Sequence, residues 1–256
     1  MLYTGAKLNS VEILMSNKDT LFSEPVESIK PFAFDDQVVS VFEDMIQRSV
    51  PGYAELVKQI GLLSKEVVTP NSRVYDLGTS LGAVTLAVRR HVSDDSVAVI
   101  AVDSSPAMVK RCTELLEAYT SNVPVTVIED DILNISIQDA SLVVLNFTLQ
   151  FIAPEHREQL IKTIYEGLQP GGVLVLSEKI EFPGEKIDKL IINLHEKFKR
   201  TQGYSELEIS QKRDALQNVM LPETVSTHMQ RLSSAGFNEI SVWYQQYNFA
   251  SLLAVK

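Results

Sequence analysis

Cysteine is almost absent from this sequence: Cys112 is the only one in 256 residues. A lone thiol forms no intrachain disulfide and builds no thiolate metal site by itself. Within "MVKRCTELL" it falls at helical spacing and reads as a small packing residue, in a chain expected to be cytoplasmic. Histidine is sparse too. His91, His156, His195 and His228 are scattered without HxxxH or comparable ligand spacing, so the expectation is four surface or capping residues and no metal. Positive charge is in deficit, with 23 Lys and Arg against 33 Asp and Glu and a net charge of −10. Proteins that grip polyphosphate backbones present basic faces. The most basic run here, Lys197 to Arg200, lies between carboxylates and reads as a solvated helix face, so direct nucleic-acid binding is disfavoured. No apolar run reaches the length of a membrane span. The opening "MLYTGAKLNSVEILM" has no basic region followed by a continuous apolar core, so it does not read as a signal peptide. Residues 1–15 are expected to form a flexible extension, and residues 16–256 a single domain.

What is present is a change of rhythm. "FDDQVVSVFEDMIQRSV" (34–50) puts Phe34, Val38, Val41, Phe42, Met45 and Ile46 on one helical stripe, with Asp35 or Asp36 as cap. Pro51-Gly52 interrupts it, and "YAELVKQIGLLSKEVV" starts a second amphipathic helix. From Arg73 onward, short apolar runs alternate with helical segments. Strands are expected at 73–78, 97–103, 124–130, 140–147 and 173–180, with helices at 82–92, 105–119 and 154–168 between them. The runs are continuously apolar, as burial on both faces of a parallel sheet requires. Residues 184–222 read as a mostly helical insertion, and a helix over "VSTHMQRLSSAGF" stops at Gly236. Two final strands are joined by so few residues that they form a hairpin, which makes at least one of them antiparallel. The expected fold is α/β, a doubly wound, mostly parallel sheet of seven strands.

The turn in "YDLGTSLGAVTL" (75–86) supplies Gly78 and Gly82, but Ser80 stands where a dinucleotide fingerprint has its middle glycine. Asp103 ends the second strand, 25 residues after Gly78, where a carboxylate can accept both hydroxyls of a ribose. It also sits where it could cap the next helix. Asp130 and Asp131 end the third strand, where an acid can face an adenine amino group or simply make a turn. Asp76 adds negative charge that would repel a pyrophosphate but suits a sulfonium and an ammonium. The cationic nucleoside that fits these acids is S-adenosylmethionine. The terminal hairpin, and "LQPGG" before strand five, also resemble the class I methyltransferase fold.

The resemblance then becomes narrower. "DTLFS" (19–23), "DMIQRSVPGY" (44–53), "VVLNFTLQF" (143–151), "IYEGLQPGG" (164–172), "LVLSEK" (174–179) and "GYSELEISQKR" (203–213) together resemble the carboxy-S-adenosyl-L-methionine synthases, from about Ser16 to Lys256. The resemblance implies conversion of S-adenosylmethionine and prephenate to carboxy-S-adenosylmethionine and phenylpyruvate. It further implies a homodimer, and a partner enzyme that carboxymethylates a hydroxyuridine at the tRNA wobble position. In the mechanism it implies, prephenate loses carbon dioxide and hydroxide, hydroxide deprotonates the S-methyl group, and the ylide captures the carbon dioxide. The ligand supplies the electronics; the protein holds the reactants together and excludes water.

Carried over position by position, the resemblance implies that Tyr53 contacts the ligand and that Gly78, Thr79 and Ser80 hold the methionine portion. Asp103 and Ser104 then meet the ribose, Asp131 and Ile132 form the adenine pocket, and Asn146 lies next to the sulfonium. Arg213, closing "SQKR", holds the added carboxylate and is the one residue assigned to the chemistry. A guanidinium fork suits a carboxylate, and a methyl group offers it no acceptor. An unpaired buried charge costs about 3–5 kcal/mol, so the expected preference for the carboxylated ligand is roughly two to four orders of magnitude. Many relatives carry cysteine at position 79 and asparagine at 104, where this chain has Thr79 and Ser104; altered affinity is expected, not lost function. Two other readings stay open: a conventional methyltransferase, and a protein that stores the adenosyl ligand without chemistry.

Overall fold

The computed structural model describes residues 17–256, so the expected extension at 1–15 lies outside the described residues. Helix α1 (Asp36–Ser49) is capped by Asp35, whose carboxylate accepts from the Val38 amide. Gly52, in the left-handed region, turns the chain into α2 (Tyr53–Val67). The alternating region follows as β1 (Arg73–Leu77), α3 (Ala83–His91), β2 (Ala98–Asp103), α4 (Pro106–Glu117), β3 (Val125–Glu129), β4 (Ala140–Asn146), α5 (Pro154–Gly167) and β5 (Leu168–Glu181). The last segment contains α6 (Glu185–Thr201), α7 (Glu206–Leu216), β6 (Glu223–Thr224), α8 (Val225–Ala235), β7 (Glu239–Gln246) and β8 (Phe249–Val255).

The main sheet runs β3-β2-β1-β4-β5-β8-β7, with β6 paired beside β5. Pairs from β3 to β5 are parallel, whereas β8 is antiparallel to both β5 and β7. The main path has the seven strands expected, and the two-residue β6, too short to show a period in sequence, adds a short pairing beside the end of β5. One boundary is corrected: strand β5 begins earlier than its apolar run, because Leu168 already pairs with Ala140 and a bulge absorbs the polar "QPGG".

Side chains alternate across the sheet. Leu142 and Val144 of β4 pack with Leu56 and Ile60 of α2 and Val84 and Val88 of α3. Val143 and Leu145 face Leu160, Ile161 and Ile164 of α5 and Leu232 of α8. Burial on both faces explains the continuous apolar strands. Strand order reverses direction between β1 and β4, so a crevice opens at the carboxyl ends of these strands. Helices α6 and α7 return over that same end. Fully buried Arg157 anchors the return: it pairs with Glu223 at 2.6 Å and donates to the carbonyls of Ile152 and Leu221 at 2.9 Å each.

Candidate active site

The crevice encloses a cavity of about 940 Å³, near the top of the range of small-molecule sites at roughly 300–1,000 Å³. The ten residues that the family resemblance assigns all line it: Tyr53, Gly78, Thr79, Ser80, Asp103, Ser104, Asp131, Ile132, Asn146 and Arg213. So does Asp76, whereas Gly82 and Asp130 do not.

One end is acidic. The β1–α3 turn puts Gly78, Ser80 and Gly82 in the left-handed region, with φ of 79°, 50° and 80°. Ser80 tolerates it because its amide is tied to the Asp103 carboxylate at 2.9 Å. Gly78 is obligatory for a second reason: a Cβ there would collide with the Thr148 side chain. Asp103 also accepts from the Ser105 amide at 2.9 Å. The cap of α4 is Ser105 itself, accepting from Met108. Asp76, buried at the end of β1, accepts from the Thr79 hydroxyl at 2.8 Å and from the Thr85 hydroxyl and amide at 2.7 and 3.1 Å. Burial raises the pKa of both Asp76 and Asp103 above the usual carboxylate range, against the lowering effect of these donors. Neither has a cationic partner within 4 Å among the described residues. Asp131 caps a short turn at Ile132–Asn134 and is exposed, with Ile132 buried beneath it. Asn146 presents a buried amide oxygen without a hydrogen-bond partner among the described residues. Tyr53 lies 6.3 Å from Phe147, ring to ring, and burial with the Asp76 charge raises its phenol pKa.

The departure at Thr79 acquires a local role here, since its hydroxyl holds Asp76 in place. Cys112 is fully buried against the turn as expected, its thiol pushed up to about 12 by burial.

The opposite end is cationic and comes from elements after strand five. Lys179 near the end of β5, His195 and Lys199 of α6, and Lys212 and Arg213 of α7 all line it. Lys212 donates to the Ser49 hydroxyl at 2.9 Å and pairs with Asp19 at 3.5 Å. Arg213 pairs with Glu196 at 3.2 Å and Asp214 at 3.7 Å, and its side chain is 61% exposed. That corrects the expected magnitude: a half-solvated guanidinium already shared with two acids does not carry the 3–5 kcal/mol penalty of an isolated buried charge.

Two histidine assignments are also corrected. His228 is buried against Arg231, and His195 is buried at the cavity wall, where Nε2 donates to the Ser49 carbonyl at 2.8 Å. Burial and the neighbouring Lys199 charge push His195 down to about 3, so it is neutral at pH 7. His91, by contrast, closes α3 through the Ala87 carbonyl, and His156 is exposed. Lys199 is the third correction, because it turns from the expected solvated face into the cavity. A signal for it existed: Ile192, His195, Glu196 and Lys199 stand at i, i+3, i+4 and i+7 and therefore share one helix face. Asn248, in the β7–β8 turn, lines the cavity with a second amide oxygen that has no partner among the described residues, and it carried no sequence signal. Among the described residues no group of three or more His, Cys, Asp or Glu could hold a metal, and no helix is long and apolar enough to cross a membrane.

Residues 74–172 match a family model described as a methyltransferase domain. The chain is similar in structure to an O-methyltransferase family protein from Burkholderia thailandensis, with a TM-score of 0.61 at 15% identity over 90% of this chain and 65% of the other. Sheet order, glycine turn and acidic strand ends thus define a class I methyltransferase-like protein. Sequence likeness goes further. The chain is 56% identical over 239 residues to the carboxy-S-adenosyl-L-methionine synthase of Photorhabdus laumondii, covering 93% of this chain and 95% of that one. It is 54% identical over 242 residues to the synthase of the same name from Vibrio cholerae, covering 94% and 98%. It belongs to the carboxy-S-adenosyl-L-methionine synthase family.

Proposed function

We propose that this protein converts S-adenosylmethionine and prephenate to carboxy-S-adenosylmethionine and phenylpyruvate, and so supplies the carboxymethyl donor for tRNA wobble-uridine modification in the cytoplasm. One observation carries this reading: a single cavity has uncompensated acids at one end and cations at the other. The acids at the ends of β1 and β2 suit a ligand bearing a sulfonium and an ammonium, with Asp103 and Ser104 at the ribose and Asp131 and Ile132 at the adenine. Tyr53 and the Gly78–Ser80 turn hold the methionine portion, and the free amide oxygen of Asn146 meets a donor beside the sulfonium. An ordinary methyl transfer gives the cationic end nothing to do. A dianionic co-substrate and a carboxylated product account for it, with Arg213 reaching the carboxylate added to the S-methyl carbon.

The same reading includes a homodimer. Ile187 and Leu190, three residues apart on α6 and 44% and 53% exposed, supply an apolar contact surface, and light scattering at twice the monomer mass is the expected result.

The test of the reaction is mass spectrometry in two stages. Denatured, freshly purified protein should release carboxy-S-adenosylmethionine, and the stripped protein should make it from S-adenosylmethionine only when prephenate is added. Release of plain S-adenosylmethionine with no prephenate-dependent product would return the chain to conventional methyl transfer. Carboxylated ligand without turnover would make it a storage protein.

A further inference from the structure

Arg213 does not account for the whole cationic end. Lys179 and Lys199 also line the cavity, and neither ammonium group has a hydrogen bond or ion pair among the described residues. The other cations there are engaged: Lys212 by Ser49 and Asp19, Arg213 by Glu196 and Asp214. Glu196, the acid next to Lys199 on α6, is itself divided between Arg213 and Arg200. Burial and the repulsion of Lys179 push Lys199 down to about 8 against the attraction of Glu196, and burial lowers Lys179 against the charges of Glu181 and Asp188. None of these acids comes within ion-pair distance of either ammonium. Beside them His195 spends its Nε2 proton on Ser49, which leaves the Nδ1 lone pair free, and Asn248 offers its unpartnered amide oxygen.

We propose that Lys179 and Lys199 form the subsite for the carboxylate that the second substrate keeps through the reaction. This rests on the reading that the second substrate is prephenate, which carries two carboxylates. One departs as carbon dioxide and reappears on the S-methyl carbon, so it begins near Arg213. A strong cation on that group would oppose the reaction, because a carboxylate losing its charge is held more tightly in the ground state than in the transition state. Arg213, half-solvated and shared with two acids, holds it weakly enough. The other carboxylate, on the pyruvyl side chain, stays charged from prephenate to phenylpyruvate. Two unpaired ammonium groups can grip it throughout without raising the barrier, and so aim the ring at the sulfonium.

Calorimetric titration of prephenate and of phenylpyruvate into protein loaded with S-adenosylmethionine or its demethylated analogue tests this on wild type, Lys179→Gln and Lys199→Gln. Both acids should bind each variant about ten- to a hundredfold more weakly, the usual worth of a hydrogen bond to a charged group. Affinity for S-adenosylmethionine should not change, which also reports an intact fold. Lys199→Met keeps the aliphatic stem and repeats the measurement if the glutamine variant does not fold. Weakened prephenate with undiminished phenylpyruvate would put the lysines on the departing carboxylate and overturn the proposal, as would undiminished binding of both. Lysine-dependent binding of both acids without turnover by wild type would support the subsite and sink the reaction instead.

Discussion

The two ends of the cavity are built in opposite ways. At the acidic end every carboxylate sits at or just after a strand terminus, and its oxygens are already gripped by nearby backbone amides or hydroxyls: Asp103 by Ser80 and Ser105, Asp76 by Thr79 and Thr85, Asp131 by Leu133. Those bonds fix position while leaving the charge uncompensated, so this end is a preorganised receptor for a cation. The cationic end draws on β5, α6 and α7, three successive elements whose packing, not a local turn, brings the charges together. Part of its charge is neutralised by Asp19, Glu196 and Asp214, and part sits on Lys179 and Lys199, which have no ion pair among the described residues. The first end is shaped by local turns; the second exists only once the helices after strand five have packed over the crevice. A methyl donor needs only the first.

The largest effect should come from the acidic end, where structure and charge are coupled. Asp76→Ala strands the buried donors of Thr79 and Thr85 and should cost about 3 kcal/mol. For a chain of this size that is a fall in Tm of roughly 6–12 °C. Asp76→Asn keeps an acceptor, so it should spare stability and still weaken the adenosyl ligand. Equal thermal loss in both variants would mean that the charge, not the acceptor, holds the turn. Next comes Asp103→Asn. It should weaken S-adenosylmethionine by about ten- to a hundredfold through the loss of charge-assisted bonds, and leave prephenate affinity untouched. A matching loss of both would show that the two ends are not separable.

The same division decides what could be read in advance. Strand ends at a topological switch point, a glycine turn and a carboxylate after strand two are local signals, so the acidic residues were legible as a set. Asp103 was also legible as a cap of the next helix, but Ser105 takes that place. Asp103 instead accepts from the Ser80 and Ser105 amides, bonds that shape the turn and fix the direction of its charge. The cationic end was legible only at Arg213, through a long family motif, and the energy of a buried charge does not apply there because the fold leaves its side chain 61% exposed. Lys199 carried no such motif. In sequence it is one member of a charged run whose only distinguishing signal is the helix face it shares with Ile192, His195 and Glu196. The packing of α6 over the crevice turns it inward while Lys197 and Arg200 stay exposed. The burial of His195 and His228 escapes the sequence for a related reason: spacing can argue against a metal ligand, but it cannot report burial.

His195 offers a smaller and more specific test, because it is a neutral group among cations. Its folded pKa of about 3 lies below the unfolded value of 6.5. The stability it contributes is therefore complete above pH 6.5 and is lost as pH falls from 6.5 toward 3, at no more than about 1.4 kcal/mol per pH unit. Denaturant midpoints of wild type and His195→Gln should converge, or cross, as the pH is lowered from 7 to 4. His228 is shifted the same way and cancels in that difference. Parallel curves would mean that His195 takes up its proton in the folded state as readily as in the unfolded one.

The smallest effect belongs to the one residue that the family resemblance assigns to the chemistry. Arg213 is largely solvated and paired with Glu196 and Asp214, so its contact with a carboxylate is worth about 1 kcal/mol, roughly a fivefold preference. Arg213→Lys keeps the charge but loses the fork. It should lower the ratio of carboxy-S-adenosylmethionine to S-adenosylmethionine affinity by about that factor, with S-adenosylmethionine itself unaffected. A loss of a hundredfold or more would require the guanidinium to be buried when ligand is bound, through closure of α7 or a neighbouring subunit covering it. An unchanged ratio would shift recognition of the added carboxylate onto Lys199 and Lys179, and the cationic end would then hold both carboxylates with the same pair of lysines.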